Sequence, residues 1–157
     1  MAATVRFDVR HHFDAPSQLV WDELVDWAGH GAWIPATRVE VDPGDATAVG
    51  ATFTAWTGFG RLALEDRMRV AACAWDDDAG RGACEVDKLG PVLKGRAGFT
   101  IERDIAGVGT VLTWFEDVTV AHAPKFVAPV LARLGAAGFR HGMRRLAALL
   151  ARRTRQR

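Results

Sequence analysis

The last part of this 157-residue chain is one long amphipathic segment, and the fold must cover its apolar face. The segment runs roughly from Pro124 to Arg153 and would span about 45 Å as a helix. Pro129 is expected to kink this helix or to mark its true start. One face of the helix carries Ala128, Leu131, Gly135, Phe139, Gly142, Leu146 and Leu150. The opposite face carries Arg133, Arg140 and Arg144.

The preceding residues consist mainly of segments whose apolar side chains recur with a period of two, which predicts strands. The first strand presents Val5, Phe7, Val9, His11 and Phe13 on one face. An amphipathic helix follows, with Asp14 as its expected cap, Pro16 in its first turn and an end at about Trp27. Six more strands are predicted over residues 38–42, 49–57, 62–75, 83–89, 94–104 and 109–121. Tight turns of Gly, Pro and Asp join them, so neighbouring strands are expected to be antiparallel.

This order of elements predicts an α+β domain. Seven antiparallel strands form one sheet with an apolar face, and the C-terminal helix is the only predicted element able to lie across that face. Short helical segments lie between the first and second strands. We assign residues 1–153 to one domain and residues 154–157 to a solvated basic tail.

Charge and motifs argue against several classes of function. The chain has 20 Lys and Arg against 19 Asp and Glu, a net charge of +1, so no nucleic-acid partner is expected. No apolar stretch suits a signal peptide or a membrane span, and we expect a cytoplasmic protein. The five histidines lack metal-ligand spacing, and neither a phosphate-binding loop nor a nucleophile motif is present. We therefore expect no metal and no cofactor.

The two cysteines are predicted to be reduced and buried. If residues 76–80 close a hairpin, Cys73 and Cys84 lie opposite each other on adjacent strands. A cytoplasmic location favours free thiols, and neither a CxxC spacing nor a nearby His supports a redox pair.

The aromatic residues are the least ordinary part of the composition. The chain has six Trp, eight Phe and no Tyr, so it must bury much ring surface that carries few polar groups. Ordinary packing in the first helix and at a strand end is expected for Trp21, Trp27 and Trp75. Four other rings are predicted where the sheet meets the long helix, with Trp33 at an entrance and Phe53, Phe99 and Trp114 on the strands. Glycines at 135, 138 and 142 on the sheet-facing helix stripe indicate either close packing or space for another molecule.

Two polar side chains are predicted to face inward. Glu116 shares a strand face with Trp114, and His11 shares one with Val9. A buried carboxylate needs a partner or a raised pKa. Structural pairing, orientation of a ligand and proton transfer are all open roles for these two residues. The possible cations near either face of the sheet are Arg67, Arg69 and Arg96.

Six short strings and one further tryptophan occur in order along nearly the whole chain. They are FDAP at 13–16 followed by VW at 20–21, Trp27 followed by WIP at 33–35, GATF at 50–53, GPVLKGRA at 90–97 and TWFE at 113–116. Together with the run 138–149, they resemble the START-like (SRPBCC, helix-grip) superfamily and, within it, polyketide cyclase/dehydrase-type proteins. The resemblance implies a curved sheet wrapped around the long helix, with an apolar cavity between them. It implies no shared chemistry, because such proteins include lipid carriers, hormone receptors, aromatase/cyclases and chaperone-binding proteins.

The inward-facing residues and the implied cavity define the candidate site. The predicted ligand-binding residues are His11, Trp33, Phe53, Met68, Val70, Phe99, Leu112, Trp114, Glu116, Leu131, Gly135 and Phe139. No catalytic residue is assigned, and the only candidates are Glu116 and His11.

Three functions are open at this point. The favoured one is binding of a hydrophobic small molecule, such as a polyketide, a lipid or an aromatic metabolite, in the apolar cavity between sheet and helix. The second is a cofactor-independent cyclase/aromatase or dehydratase that uses the same cavity. The third is a protein-interaction module with a protein partner.

Overall fold

A computed structural model describes residues 1–156 of the chain. Its strands are β1 (Ala2–Phe13), β2 (Thr37–Val41), β3 (Thr52–Thr57), β4 (Leu64–Asp76), β5 (Arg81–Leu89), β6 (Leu93–Arg103) and β7 (Thr110–Ala121). They form one antiparallel sheet in the order β1-β7-β6-β5-β4-β3-β2. From β2 to β7, strands that are consecutive in the chain are also neighbours in the sheet, because short turns connect them. The prediction of a seven-stranded antiparallel sheet is confirmed.

Two α-helices and a longer 3₁₀ helix cover this sheet. They are α1 (Ser17–Val25), α2 (Ala128–Arg155) and the 3₁₀ helix Trp27–Ala32, with further 3₁₀ turns at Gly60–Leu62 and Lys125–Val127. Pro129 lies in the first turn of α2, so it marks the start of the helix and does not kink it. Within residues 1–156, no helix is both long and apolar enough to cross a membrane.

The ends of the helices differ from the sequence-based expectations. Pro16 is itself the N-cap of α1, and no side chain caps that helix, so the expected role of Asp14 is wrong. Asp26 interrupts the predicted continuation to Trp27, because its side chain accepts a hydrogen bond from the Gly29 N–H at 3.2 Å and starts the 3₁₀ helix.

The C-terminal helix also continues further than predicted. It runs through Arg155, so the first residues of the expected basic tail (154–157) are helical. One turn of the helix is held by an ion pair between Arg153 and Glu23 of α1. The last residue of the predicted tail lies outside the described residues.

The face of α2 that meets the sheet is packed closely. A Cβ at Gly135 would lie 2.6 Å from the ring of Phe7, and one at Gly142 would lie 3.3 Å from the Trp33 carbonyl oxygen. Of the two interpretations of the glycine stripe, close packing holds at these two positions. The prediction for Gly138 is wrong, because this residue is exposed and a Cβ there would meet nothing within 4 Å.

The β4–β5 hairpin places the two cysteines opposite each other, as predicted. Cys73 and Cys84 are direct partners in the strand register, and both are free thiols. A register shift between Val70 and Ala72 precedes them. Cys84 is buried, whereas Cys73 is half-buried.

Candidate functional site

A cavity of about 100 Å³ lies between the sheet and the helical elements that cover it. Its strand wall comes from β2 to β7, where alternate residues face the interior. Its helical wall consists of Trp27 and His30 of the 3₁₀ helix, Ile34 just after it, and Phe139 of α2.

Five aromatic rings line the cavity, and neighbouring rings are stacked. Trp27 lies 4.6 Å from Phe53 with only 7° between the ring planes. Trp114 stacks on Phe99 at 5.6 Å and on Phe139 at 4.8 Å. The indole N–H of Trp27 donates a hydrogen bond to the Ala46 carbonyl at 2.8 Å, which fixes the ring in place. The cavity therefore presents flat apolar surfaces held by packing.

A polar cluster of Asp66, Lys88 and Glu116 occupies part of the strand wall. Lys88 Nζ donates a hydrogen bond to Asp66 Oδ2 and lies 3.6 Å from Glu116 Oε2. Glu116 Oε1 accepts a hydrogen bond from the Trp114 indole N–H at 3.1 Å. The residues of β6 that lie opposite Glu116 and Lys88 in the register are an alanine and a glycine, so no large side chain of β6 separates the two.

Burial and mutual attraction set the protonation states in this cluster. Desolvation raises the pKa of Glu116, although Lys88 and the Trp114 N–H partly oppose this effect. Desolvation alone would lower the pKa of Lys88, but the carboxylates of Glu116 and Asp66 outweigh it and raise that pKa. The cluster therefore holds a protonated Lys88 beside a carboxyl group that takes up a proton more readily than an exposed Glu.

His30 is a buried neutral imidazole in the cavity wall. Its Nε2–H donates a hydrogen bond to the Leu24 carbonyl at 2.8 Å. Burial lowers its pKa to about 4, against smaller opposing effects of this hydrogen bond and of Asp26. The ring packs edge-on to Trp27 and beside Trp33, so His30 joins the 3₁₀ helix to the aromatic wall.

Six of the twelve residues predicted for ligand binding line the cavity, namely Phe53, Met68, Phe99, Trp114, Glu116 and Phe139. The other six lie outside its wall. Val70 and Leu112 are fully buried core residues, Leu131 is half-buried on α2, and Gly135 packs against Phe7.

The placements of His11 and Trp33 correct the sequence-based expectation. His11 is half-buried beside Phe13, with ring centroids 4.6 Å apart, and burial together with Arg144 lowers its pKa. It does not share a site with Glu116. Trp33 is not at an entrance, because its side chain is completely buried against Gly142 of α2.

Thirteen residues of the cavity wall were not among the predicted ligand-binding residues, and four of these carry its further ring and charged groups, namely Trp27, His30, Asp66 and Lys88. Strand alternation carried the signal for two of them. Asp66 shares its face with Met68, and Lys88 shares its face with Val86, which is the same argument that placed Glu116 inward. The three candidate arginines instead pair on the outside, Arg67 with Asp42, Arg69 with Asp87 and Arg96 with Glu85. No pattern in the sequence indicated that the helical segment after α1 would present Trp27 and His30 to the cavity.

The cavity holds few groups suited to a metal ion. Among residues 1–156, no three side chains of His, Cys, Asp or Glu come together in an arrangement that would bind one. The titratable groups of the charged cluster and of the helical wall are instead two carboxyl groups, one ammonium and one imidazole, and two threonines and Cys84 add hydroxyl and thiol groups.

Comparisons with known proteins place this geometry in context. The family model for polyketide cyclase / dehydrase and lipid transport matches residues 4–151. The crystal structure of Zhui aromatase/cyclase from Streptomyces sp. R1128 is similar, with a TM-score of 0.68 over 96% of each chain and 15% sequence identity. That similarity shows the same helix-grip fold. Comparison with curated protein sequences gives no match.

Proposed function

Because the chain belongs to the polyketide cyclase/dehydrase and lipid transport family, we propose that its cavity binds a small hydrophobic molecule that contains an aromatic or other flat ring. The observation that supports this proposal is the set of stacked rings around the cavity, together with the buried cluster of Asp66, Lys88 and Glu116 in its wall. Flat rings bind ring-shaped ligands by apolar burial and offset stacking. The cluster supplies the few polar contacts that orient a ligand in such a site.

The size of the cavity supports a ligand with a single ring or a ring that enters part of the way. Its volume of about 100 Å³ is somewhat smaller than the engineered apolar cavity of about 150 Å³ that binds benzene. Phe139 and Ile34 are half-buried side chains of the helical wall, so their rotation would enlarge the space for a substituted ring such as 4-ethylphenol or for a longer polyketide or lipid. Of a polyketide, a lipid and an aromatic metabolite, the stacked rings of the cavity wall favour the aromatic molecule.

Isothermal titration with 4-ethylphenol tests this proposal. Wild-type protein should bind one equivalent. Ala55→Leu, which fills the cavity from β3, should lower the affinity at least about tenfold, because the added side chain occupies the space of the ring. The matched variant Ala72→Leu, at an exposed position of β4, should bind as the wild type does. Equal binding by both variants would place the ligand elsewhere and overturn the proposal.

Cyclisation or dehydration of a bound chain is a second candidate, favoured by the raised pKa of Glu116 beside Lys88. A carboxyl group whose pKa is raised by burial, next to an ammonium that stabilises negative charge, is suited to acid–base steps on a ketone or an enol. If the protein converts a poly-β-ketone substrate, Glu116→Gln should abolish turnover while binding persists. Unchanged turnover in that variant would exclude Glu116 from proton transfer.

A further inference from the structure

One oxygen in the cavity wall lacks a hydrogen-bond partner. Within residues 1–156, Asp66 Oδ1 and Trp33 Nε1 are the buried side-chain atoms that have none. Trp33 lies outside the cavity wall, whereas Asp66 is part of it. The other oxygen of Asp66 is held by Lys88, so the carboxylate cannot turn to satisfy Oδ1 without breaking that pair.

A buried acceptor without a hydrogen-bond partner costs free energy. Buried polar atoms in native structures almost always have a partner, and a charged acceptor loses more than a neutral one when it has none. A donor brought by a ligand would supply the missing hydrogen bond.

We propose that Asp66 Oδ1 is a specificity-determining acceptor, which binds a hydroxyl or amino group carried by the ligand ring. This inference rests on the proposed function, because it concerns a ligand in the same cavity. It selects neutral ligands with a hydrogen-bond donor over ligands of the same shape that only accept hydrogen bonds. A site built to bind a donor discriminates strongly against an analogue that lacks it.

The charges around Asp66 also select against anions. Two carboxyl groups, Asp66 and Glu116, face the single ammonium of Lys88. The three N–H groups of that ammonium have Asp66 Oδ2, Glu116 Oε2 at 3.6 Å and Met68 Sδ at 3.8 Å as neighbours. The ammonium is therefore already neutralised, and a ligand carboxylate would meet Asp66 without a free cation.

Three ligands that share a 4-ethylphenyl group and differ in the group opposite the ethyl chain test the inference: 4-ethylphenol, 4-ethylanisole and 4-ethylbenzoate, titrated calorimetrically at pH 7. Wild-type protein should bind 4-ethylphenol at least about tenfold more tightly than 4-ethylanisole, as expected for one hydrogen bond to a charged acceptor. 4-Ethylbenzoate should bind more weakly than either. The wild-type comparison requires no variant, so it does not depend on whether a substitution folds.

The variant Asp66→Asn should remove this preference. Its amide oxygen would take the place of Oδ2 as the acceptor of Lys88 and its amide N–H₂ would take the place of the Oδ1 acceptor, so the phenol-to-anisole affinity ratio should fall to about one or below. The matched control Asp87→Asn, which changes an outward-facing aspartate of β5 paired with Arg69, should keep the wild-type ratio.

The outcomes distinguish a failure of the role proposed for Asp66 from a failure of ligand binding in the cavity. If 4-ethylanisole or 4-ethylbenzoate binds wild-type protein as tightly as 4-ethylphenol, the role of Asp66 is overturned while binding in the cavity stands. An unchanged ratio in Asp66→Asn overturns it as well. If none of the three ligands binds, the proposed function fails together with this inference.

Discussion

The Lys88 ammonium lies 3.6 Å from Glu116 Oε2, and both side chains are more than nine-tenths buried. Lys88 is on β5 and Glu116 is on β7, so the pair reaches across β6 inside the sheet's covered face. Ions withdrawn from water at this depth are stable only when they are paired. The pair therefore links the stability of the domain to the chemistry of its cavity.

Replacing Lys88 with methionine should destabilise the protein by about 3 kcal/mol at pH 7, because Asp66 and Glu116 would lose their only cation in the cluster. The loss should be smaller at pH 4.5, where Glu116, with its raised pKa, takes up a proton. Urea unfolding at both pH values measures this. Lys94→Met, at an exposed position of β6, is the control and should change stability by less than about 0.5 kcal/mol. Equal losses in the two variants would show that the cluster contributes nothing.

His30 should make the protein less stable in mild acid. Its folded-state pKa of about 4 lies below the ordinary value of 6.5. Between these values the unfolded chain takes up a proton that the folded protein does not, so stability falls as the pH falls from 6.5 to 4. The contribution of this group is about 3 kcal/mol across that window.

The variant His30→Gln isolates this effect, because an amide can donate to the Leu24 carbonyl without titrating. Between pH 7 and pH 4, wild-type protein should lose about 3 kcal/mol more in free energy of unfolding than His30→Gln does. His141→Gln, at an exposed position of α2, should follow the wild-type profile. Parallel profiles for wild type and His30→Gln would mean that His30 is charged in the folded protein.

The sheet and the long helix were predictable because both depend on local patterns. Period-two alternation and tight turns identified the seven strands, and the same alternation placed Glu116 inward. Its partner Lys88 occupies an equivalent position after Val86, so the same alternation would have placed it inward, whereas the three arginines expected as nearby cations lie on the outer face.

Other parts of the site could not be predicted, because they depend on how the helices and strands pack, which the periodicity of the sequence does not describe. The helix pattern assigned Gly138 to the buried stripe, but α2 crosses the sheet so that this position faces solvent. His11 is on the expected strand face, yet it lies near the end of β1 and away from the cavity. The 3₁₀ helix that carries His30 forms around Asp26, and its position over the sheet could not be read from spacing alone.

Two alanine substitutions in α2 should have opposite effects. Gly138→Ala should stabilise the protein by about 0.5–1 kcal/mol, because the site is exposed and helical and alanine favours the helix. Gly135→Ala should destabilise it by about 1 kcal/mol or more, because the new Cβ would lie 2.6 Å from the Phe7 ring. Thermal and urea unfolding measure both. A gain in stability at position 135 would contradict the close packing of α2 on β1.

The two cysteines should differ in reactivity although they face each other. Hydrogen bonding with Cys84 lowers the pKa of the half-buried Cys73, whereas the same contact and burial raise the pKa of the Cys84 thiol. Iodoacetamide should therefore modify one thiol per chain in the native protein and two in urea, as counted by mass spectrometry. Peptide mapping should assign the native modification to Cys73. Native modification of Cys84 would show that the cavity wall opens readily.

A crystal structure of the protein with 4-ethylphenol is the most direct test of the central claim. The account predicts electron density for the ring inside the cavity, between the Phe53 and Trp114 sides of its wall, with the hydroxyl within hydrogen-bond distance of Asp66 Oδ1. A cavity that remains empty at saturating ligand, or density only outside the sheet–helix interface, would contradict it.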